Sequence, residues 1–240
     1  EGRRFKSVPR NQFKKKIMFR KEKFKNLTLR YDQHLYTGIQ GYLMNLCHKQ
    51  LEDFNFTKNI SKVLEIGAGN KPHYKFLKHN YDEYHIAETS TVKIDNPEQN
   101  SKIIFTKYDG KKLPYENNLF DRIIISHCLE HIYYPEEFLR EVVGKLKTGG
   151  VLSISLPTDP GLLFRLGRLY MRFFSIKKNY KISPKEYDYM NATEHVNSIF
   201  NLHSIIKHNY ANIAKESFLP FRIKSFDLNL FYNVHIIKDD

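Results

Sequence analysis

Three acids and a pair of glycines stand where a chain could hold a nucleoside. Val63-Leu64-Glu65-Ile66-Gly67-Ala68-Gly69 is an apolar β-type run that ends in a glycine turn, followed by Asn70, Lys71 and Pro72. Glycines let backbone come close to a ligand, and a helix starting at Pro72 would add free N–H groups. A ribose diol is well held by a carboxylate accepting from both hydroxyls. Glu88, followed by Thr89, lies about twenty residues past the turn, where such an acid belongs. Asp109, followed by Gly110, ends another apolar run and offers an acceptor for an exocyclic amino group. Glu65 can orient the turn or accept from an ammonium group. A dinucleotide site would want a third glycine where Pro72 stands, and a P-loop would want Gly-Lys-Ser/Thr; neither is present.

The elements that must place these residues alternate. The patterns predict strands at Lys62–Ile66, Tyr84–Glu88, Ile103–Tyr108, Phe120–Ser126 and Val151–Leu156. Helices are expected over 33–53, 72–78 and 135–146, the last closed by Lys147-Thr148-Gly149-Gly150. Strand–helix alternation implies βαβ units, a parallel doubly wound sheet and ligands beyond the carboxyl ends of its strands. Past Leu156 the pattern changes. Residues 162–174 read as an apolar helix with Arg165, Arg168 and Arg172 on one face, 180–189 as a loop or lid, and 204–210 as a helix. Two β-rich stretches, 218–223 and 228–237, are close enough to form an antiparallel hairpin at the sheet edge. The fold class is therefore α/β: a Rossmann-like, mostly parallel sheet with helices on both faces and an antiparallel C-terminal edge hairpin.

Charge divides the chain. The formal net charge is +13, yet residues 1–30 contain 12 Lys/Arg and two acids, so +10 of it lies in an N-terminal arm. Residues 31–240 are near neutral and read as one domain, with 157–200 as a lid or substrate insertion. The arm, with Phe5, Phe13, Phe19 and Phe24 among its charges, suits contact with RNA phosphates or an anionic membrane, or else is a solvated extension. Cys47 and Cys128 lie far apart without metal spacing, which reads as two reduced thiols in a cytoplasmic protein and no metal site. No signal core or transmembrane run is apparent, so any membrane contact is peripheral.

The ordered set of residues from Val63 to Leu156 resembles the class I S-adenosylmethionine-dependent methyltransferases, in the group that modifies small molecules, sugars and lipids. The resemblance is carried by Val63–Gly69, Glu88, Asp109-Gly110 with Leu113-Pro114, and Asn118-Leu119-Phe120-Asp121. It continues through Ser126-His127-Cys128-Leu129-Glu130-His131-Ile132, Pro135, Leu139-Arg140-Glu141 and Leu146–Leu152. Glu194-His195-Val196 before Ser198-Ile199-Phe200 is similar to the segment preceding that family's last helix. The resemblance implies S-adenosyl-L-methionine as cofactor, with S-adenosyl-L-homocysteine as product. Glu65, Gly67, Ala68 and Gly69 would bracket the methionine part. Glu88 with Thr89 would hold the ribose, Asp109 with Gly110 would lie by the adenine, and Ser126 and His127 would face the sulfonium. The family often has a third glycine where this chain has Lys71, so the Lys71 side chain must point away from the ligand or reshape the turn.

Methyl transfer to a hydroxyl wants a base, and His127, His131 and His195 are the candidates; for His131 a structural role is the stronger reading. No Pro-Pro-aromatic or Pro-Cys motif is present, and no acids cluster after the fourth strand. Adenine-N6, cytosine-C5 and metal-assisted catechol methylation are thereby disfavoured. The expected activity is O-methylation of a small-molecule, sugar or lipid-linked acceptor. RNA methylation through the basic arm and a catalytically silent cofactor-binding domain are the alternatives.

Overall fold

A computed structural model describes residues 36–69, 71–89 and 101–239, without the side chains of residues 178 and 179. The basic arm of residues 1–30 lies outside the described residues.

Seven strands form one sheet in the order β3-β2-β1-β4-β5-β7-β6. They are β1 Lys62–Ile66, β2 Glu83–Glu88, β3 Ile103–Lys107, β4 Phe120–Ser126, β5 Leu146–Pro157, β6 Ile213–Leu219 and β7 Phe231–Ile237. The first five are mutually parallel, and β7 runs antiparallel between β5 and β6. This is the expected doubly wound sheet with its antiparallel edge.

Successive residues of a strand point to opposite faces, and the cores divide accordingly. Leu64, Ile66, Ile123, Ile125, Leu152 and Ile154 pack with Leu139 and Val142 of α2 (Pro135–Lys145) and with Ile199, Leu202 and Ile206 of α5 (Ile199–Asn209). Val63, Ile86 and Ile124 face the other way and pack on Leu51 of α1 (Gly38–Leu51). The α2 start is written in sequence: Pro135 at its head, Glu136 and Glu137 in the first turn, Lys145 in the last. Cys47 of α1 lies 3.0 Å from Ser155 Oγ, so α1 is packed onto the sheet. Burial pushes the Cys47 thiol up to about 12, which keeps it protonated.

Several expectations are corrected. The helix expected over 72–78 is a single 3-10 turn, His73–Phe76, because the His73 amide is drawn back to Glu65 and Leu77 is already extended. β5 begins at Leu146, so Lys147–Gly150 belong to the strand instead of closing α2. Residues 180–189 are not a loop. α3 (Leu162–Tyr170) continues as a π-helix, Met171–Tyr180, and α4 follows at Pro184–Glu194. Ser183, Pro184 and Glu186 form a full capping box with proline at the first position, a start signal legible in the sequence. α5 starts at Ile199, earlier than Ser204, capped by the Ser198 side chain. Among the described residues no helix is long and apolar enough to cross a membrane.

Candidate active site

The strand registers bring Glu88, Ser126 and Ser155 to one end of the sheet, with the glycine turn between them. Gly67 (φ 71°) donates its amide to Ala87 O at 2.9 Å. A side chain there would sit 2.6 Å from Cys128 Sγ, so the turn and the loop after β4 meet backbone to side chain. Gly69 (φ 54°) differs: a Cβ built on it meets no atom within 4 Å. That open side lies next to the Glu88 carboxylate, which accepts from Gly69 N at 3.2 Å and from Thr89 N at 2.7 Å. A glycine cradle with room above it, beside a nearly buried carboxylate, fits a nucleoside-bearing cofactor.

Glu65 serves the turn from below. It is 1% exposed and accepts from His73 N at 2.9 Å and from Tyr84 OH at 2.7 Å. Burial raises its carboxyl to about 7. Glu65 therefore closes the loop after β1, which is the orienting one of the two roles read from the sequence. Ala68 packs against the Val63–Ile124 core. Lys71, the departure from the family's glycine, sends its ammonium to Asn45 Oδ1 at 2.5 Å and over the Tyr36 ring at 4.5 Å. The side chain is thus committed to the α1 side.

Asp109 accepts from Lys111 N at 2.9 Å, and that bond holds its carboxyl below the ordinary range. Gly110 packs close to Thr89 Cγ2, which brings the loops after β2 and β3 together. Ser126, half-buried, sits opposite Ser155 at the end of β4. His127 follows with a left-handed backbone (φ 51°), a conformation that a residue with a Cβ adopts at a cost of order 1–3 kcal/mol. Its Nε2 is buried without a partner. Burial pushes its imidazole down to about 4, so it is neutral at pH 7 despite Glu130 nearby.

The three candidate histidines are neighbours. His127 Nδ1 lies 4.0 Å and His131 Nε2 3.8 Å from Glu130 Oε1. His131 donates from Nδ1 to Glu194 O at 2.8 Å, and its ring meets His195 edge-on at 5.2 Å. His195, at the end of α4, has Nδ1 2.8 Å from Asp159 Oδ2. Arg168 of α3 reaches the same oxygen at 2.5 Å. The Glu130 carbonyl accepts from Val196 N and Asn197 N, and the Asp159 carbonyl from Ile199 N, so the 194–199 segment is strapped across the loops after β4 and β5. Three polar atoms here are buried and unpartnered: His127 Nε2, Glu130 Oε2 and Arg168 Nε. Glu130, His131 and His195 each present one ligand atom within 4.8 Å of the others, so this trio could accept a cation.

Asp159 and Glu130 were not singled out as site residues by sequence reasoning. A signal for Asp159 was available, since it lies in the loop directly after β5, at the end of the sheet where Glu88 ends β2. Tyr187, a candidate pocket residue, is 3% exposed in a packing cluster with Ile176 and Met190, while Tyr189 is exposed. A cavity of about 480 Å³ lies elsewhere, between Gln50, Asp53 and the edge strand β6; none of its lining belongs to the strand-end loops.

Comparison with known proteins agrees with this geometry. A family profile described as a methyltransferase domain matches residues 64–154. The chain is 26% identical over 168 residues to the ubiquinone/menaquinone biosynthesis C-methyltransferase UbiE of Pseudomonas fluorescens, covering 65% of this chain and 64% of that one. The chain thus spans less than two thirds of that relative's length. Among solved structures, the N-methyltransferase NodS of Bradyrhizobium japonicum with S-adenosyl-L-homocysteine superposes with a TM-score of 0.57 at 14% identity, over 82% of this chain and 87% of that one. The [4+2]-cyclase SpnF superposes with a TM-score of 0.58 at 13% identity, over 85% and 83%. A cyclase with this architecture shows that the fold alone does not fix the reaction. The matched profile, the sheet order and the glycine turn together place residues 64–154 in a methyltransferase domain with the class I fold.

Proposed function

We propose that the chain transfers a methyl group from S-adenosyl-L-methionine to an oxygen of a small-molecule, sugar or lipid-linked acceptor. The observation that carries this reading is the Asp159–His195 pair beside three unpartnered buried polar atoms, at the sheet end that bears the glycine cradle. Buried polar groups are ordinarily satisfied, so orphans clustered at one rim mark a place built for a polar ligand.

When bound, the cofactor supplies an electrophilic methyl on a sulfonium, and transfer is an in-line displacement that needs alignment above all. Gly67 and Gly69 would admit the methionine part, Glu88 the ribose, and Asp109 with Gly110 the adenine side. A protonated imidazole beside a sulfonium would repel it; burial keeps His127 neutral at pH 7. Asp159 accepts from His195 Nδ1, which leaves Nε2 with a lone pair for an acceptor hydroxyl proton. His131 is tied to the Glu194 carbonyl and positions this segment.

One further reading has support. The relatives named UbiE are C-methyltransferases. A base that removes a phenolic proton also activates the adjacent ring carbon, so the same His195 geometry serves C-methylation of a hydroxylated ring. Locating the new methyl in the product by NMR separates the two. The RNA reading rests on residues 1–30, outside the described residues.

The primary test is calorimetric binding of S-adenosyl-L-methionine and S-adenosyl-L-homocysteine, with NAD as control. Both are expected to bind, and Glu88→Ala to weaken binding about tenfold or more, the scale of a lost charged hydrogen bond. A folded wild-type chain that binds neither, even with cell extract added, would sink the proposal.

A further inference from the structure

α3 and the π-helix after it carry two apolar faces, only one of which is packed. The inner face turns Met171 and Ile176 toward Tyr180, Ile182, Tyr187 and Met190. The outer face presents Leu162 (47% exposed), Leu166 (53%), Leu169 (48%), Tyr170 (59%), Phe173 (65%) and Phe174 (71%). Their spacing places them on one stripe of a helix, and no residue of α3 is buried. A contiguous stripe of this kind on a soluble domain marks an interaction surface. The charges that the segment itself carries have one sign, while Asp159, Asp188 and Asp227 contact it from outside. From Pro160 to Lys185 the chain holds seven Lys/Arg and no Asp or Glu. Arg168 and Arg172 are tied to Asp159 and Asp188, whereas Arg165, Lys177, Lys181 and Lys185 are exposed.

We propose that this helical strap docks on an anionic lipid bilayer. The leucines and aromatics would sit at the boundary between headgroups and acyl chains, with Arg165, Lys177, Lys181 and Lys185 among lipid phosphates. An interfacial helix is recognised by a large apolar face with Leu and aromatics, flanked by Lys and Arg. A second copy of this chain would bring the same positive charge to the same patch. An RNA backbone would match the cations but leave Leu162, Leu166 and Leu169 unburied. The basic residues 1–30 add charge of the favourable sign, with lipid attraction of about 1 kcal/mol for each Lys or Arg near an anionic surface.

The strap begins five residues after β5, and its Arg168 holds the Asp159 that holds His195. Docking therefore sets the candidate acceptor site against the membrane, which favours a lipid or lipid-linked acceptor. That consequence rests on the methyl-transfer reading; the docking itself does not.

The test is co-sedimentation of the full chain with phosphatidylcholine vesicles, with and without phosphatidylglycerol. The expected result is partition onto the phosphatidylglycerol vesicles only, weakened by salt. Replacing Phe173 and Phe174 together by Glu should lower partition about tenfold or more, since each removed side chain forfeits its apolar burial. S-adenosyl-L-homocysteine affinity should stay within twofold in that variant; if it does not, Leu166→Ser with Leu169→Ser decides by the same criterion. Wild-type chain left in the supernatant, variant partition within twofold of wild type, or equal partition onto both vesicle types overturns the proposal. So does an RNA oligonucleotide that the chain binds in place of vesicles. A chain that sediments but binds no cofactor leaves docking intact and removes methyl transfer; the converse result removes docking alone.

Discussion

Two polar clusters sit on the same sheet and differ in one respect. In the interior, Arg122 and Glu52 are both almost fully enclosed. Arg122 donates to both Glu52 oxygens at 3.1 and 2.7 Å, to Ser153 Oγ at 3.1 Å, and lies 2.9 Å from His79 Nε2. Glu52 also meets His73 Nε2 at 2.7 Å, and His73 continues the chain to His48 and Tyr36. Every nitrogen of the Arg122 guanidinium has a partner. At the rim, Asp159, Arg168, His195, Glu130 and His127 use the same residue types, but Arg168 Nε, Glu130 Oε2 and His127 Nε2 have none. The satisfied cluster ties the interior together, while the rim cluster keeps polar atoms that the proposed acceptor would meet. Charge and histidine content do not separate these two clusters; their unmet hydrogen bonds do.

The contrast can be broken most forcefully from the interior. Arg122→Met strands the Glu52 carboxylate in the core and should cost about 3–5 kcal/mol of unfolding free energy in a urea titration. A loss under about 1 kcal/mol would mean that the interior cluster holds nothing together. The rim should respond the other way. His195→Ala is expected to lower kcat about 100-fold or more, the scale of a lost general base, with about 1 kcal/mol lost in stability, the scale of one hydrogen bond. Asp159→Asn should shift the acidic limb of the kcat pH profile as well as lower it, because it alters the partner of His195 Nδ1. A structural role for Asp159 would lower stability and leave that limb in place.

The pH dependence sharpens the comparison with a smaller effect. Burial holds His127 near 4 and His235 near 3, below the ordinary histidine value. Unfolded, both take up protons as pH falls through about 6.5, and the folded chain refuses them, so stability falls on acidification. Glu65 works in reverse: its folded carboxyl holds a proton up to about 7 that the unfolded chain releases near the ordinary glutamate value of 4.5. Between pH 7 and 5.5 these three groups together contribute a net loss of about 1 kcal/mol, and the depressed His48, His73 and His79 add to it in the same direction. Glu65→Gln removes the opposing group, and the fall should steepen by about 1.5 kcal/mol over the same interval. An unchanged slope in that variant would show that Glu65 titrates normally.

The sheet was legible because buried parallel strands write continuous β-branched and apolar runs: Phe120–Ser126 coincides with β4, and Lys62–Ile66 with β1. The glycine turn and Glu88 were legible because their chemistry depends on short spacing along one chain. The helix after β1 was misread because Pro72 suits a helix start, while what ends it there is tertiary: Glu65 captures the His73 amide. Asp159, Arg168 and His195 are separated by up to 36 residues and meet only through the path of the α3–α4 segment, which no local pattern specifies.

That single 3-10 turn bears on which nucleotides the site can tell apart. A long helix opening at the glycine turn would offer an anion its free amides and its positive end. Here three of the amides around the turn are already used: Gly67 N on Ala87 O, Gly69 N on Glu88 and His73 N on Glu65. A pyrophosphate arriving there would meet the Glu88 carboxylate with no long helix end to offset it, whereas the same carboxylate would not repel a cationic nucleoside.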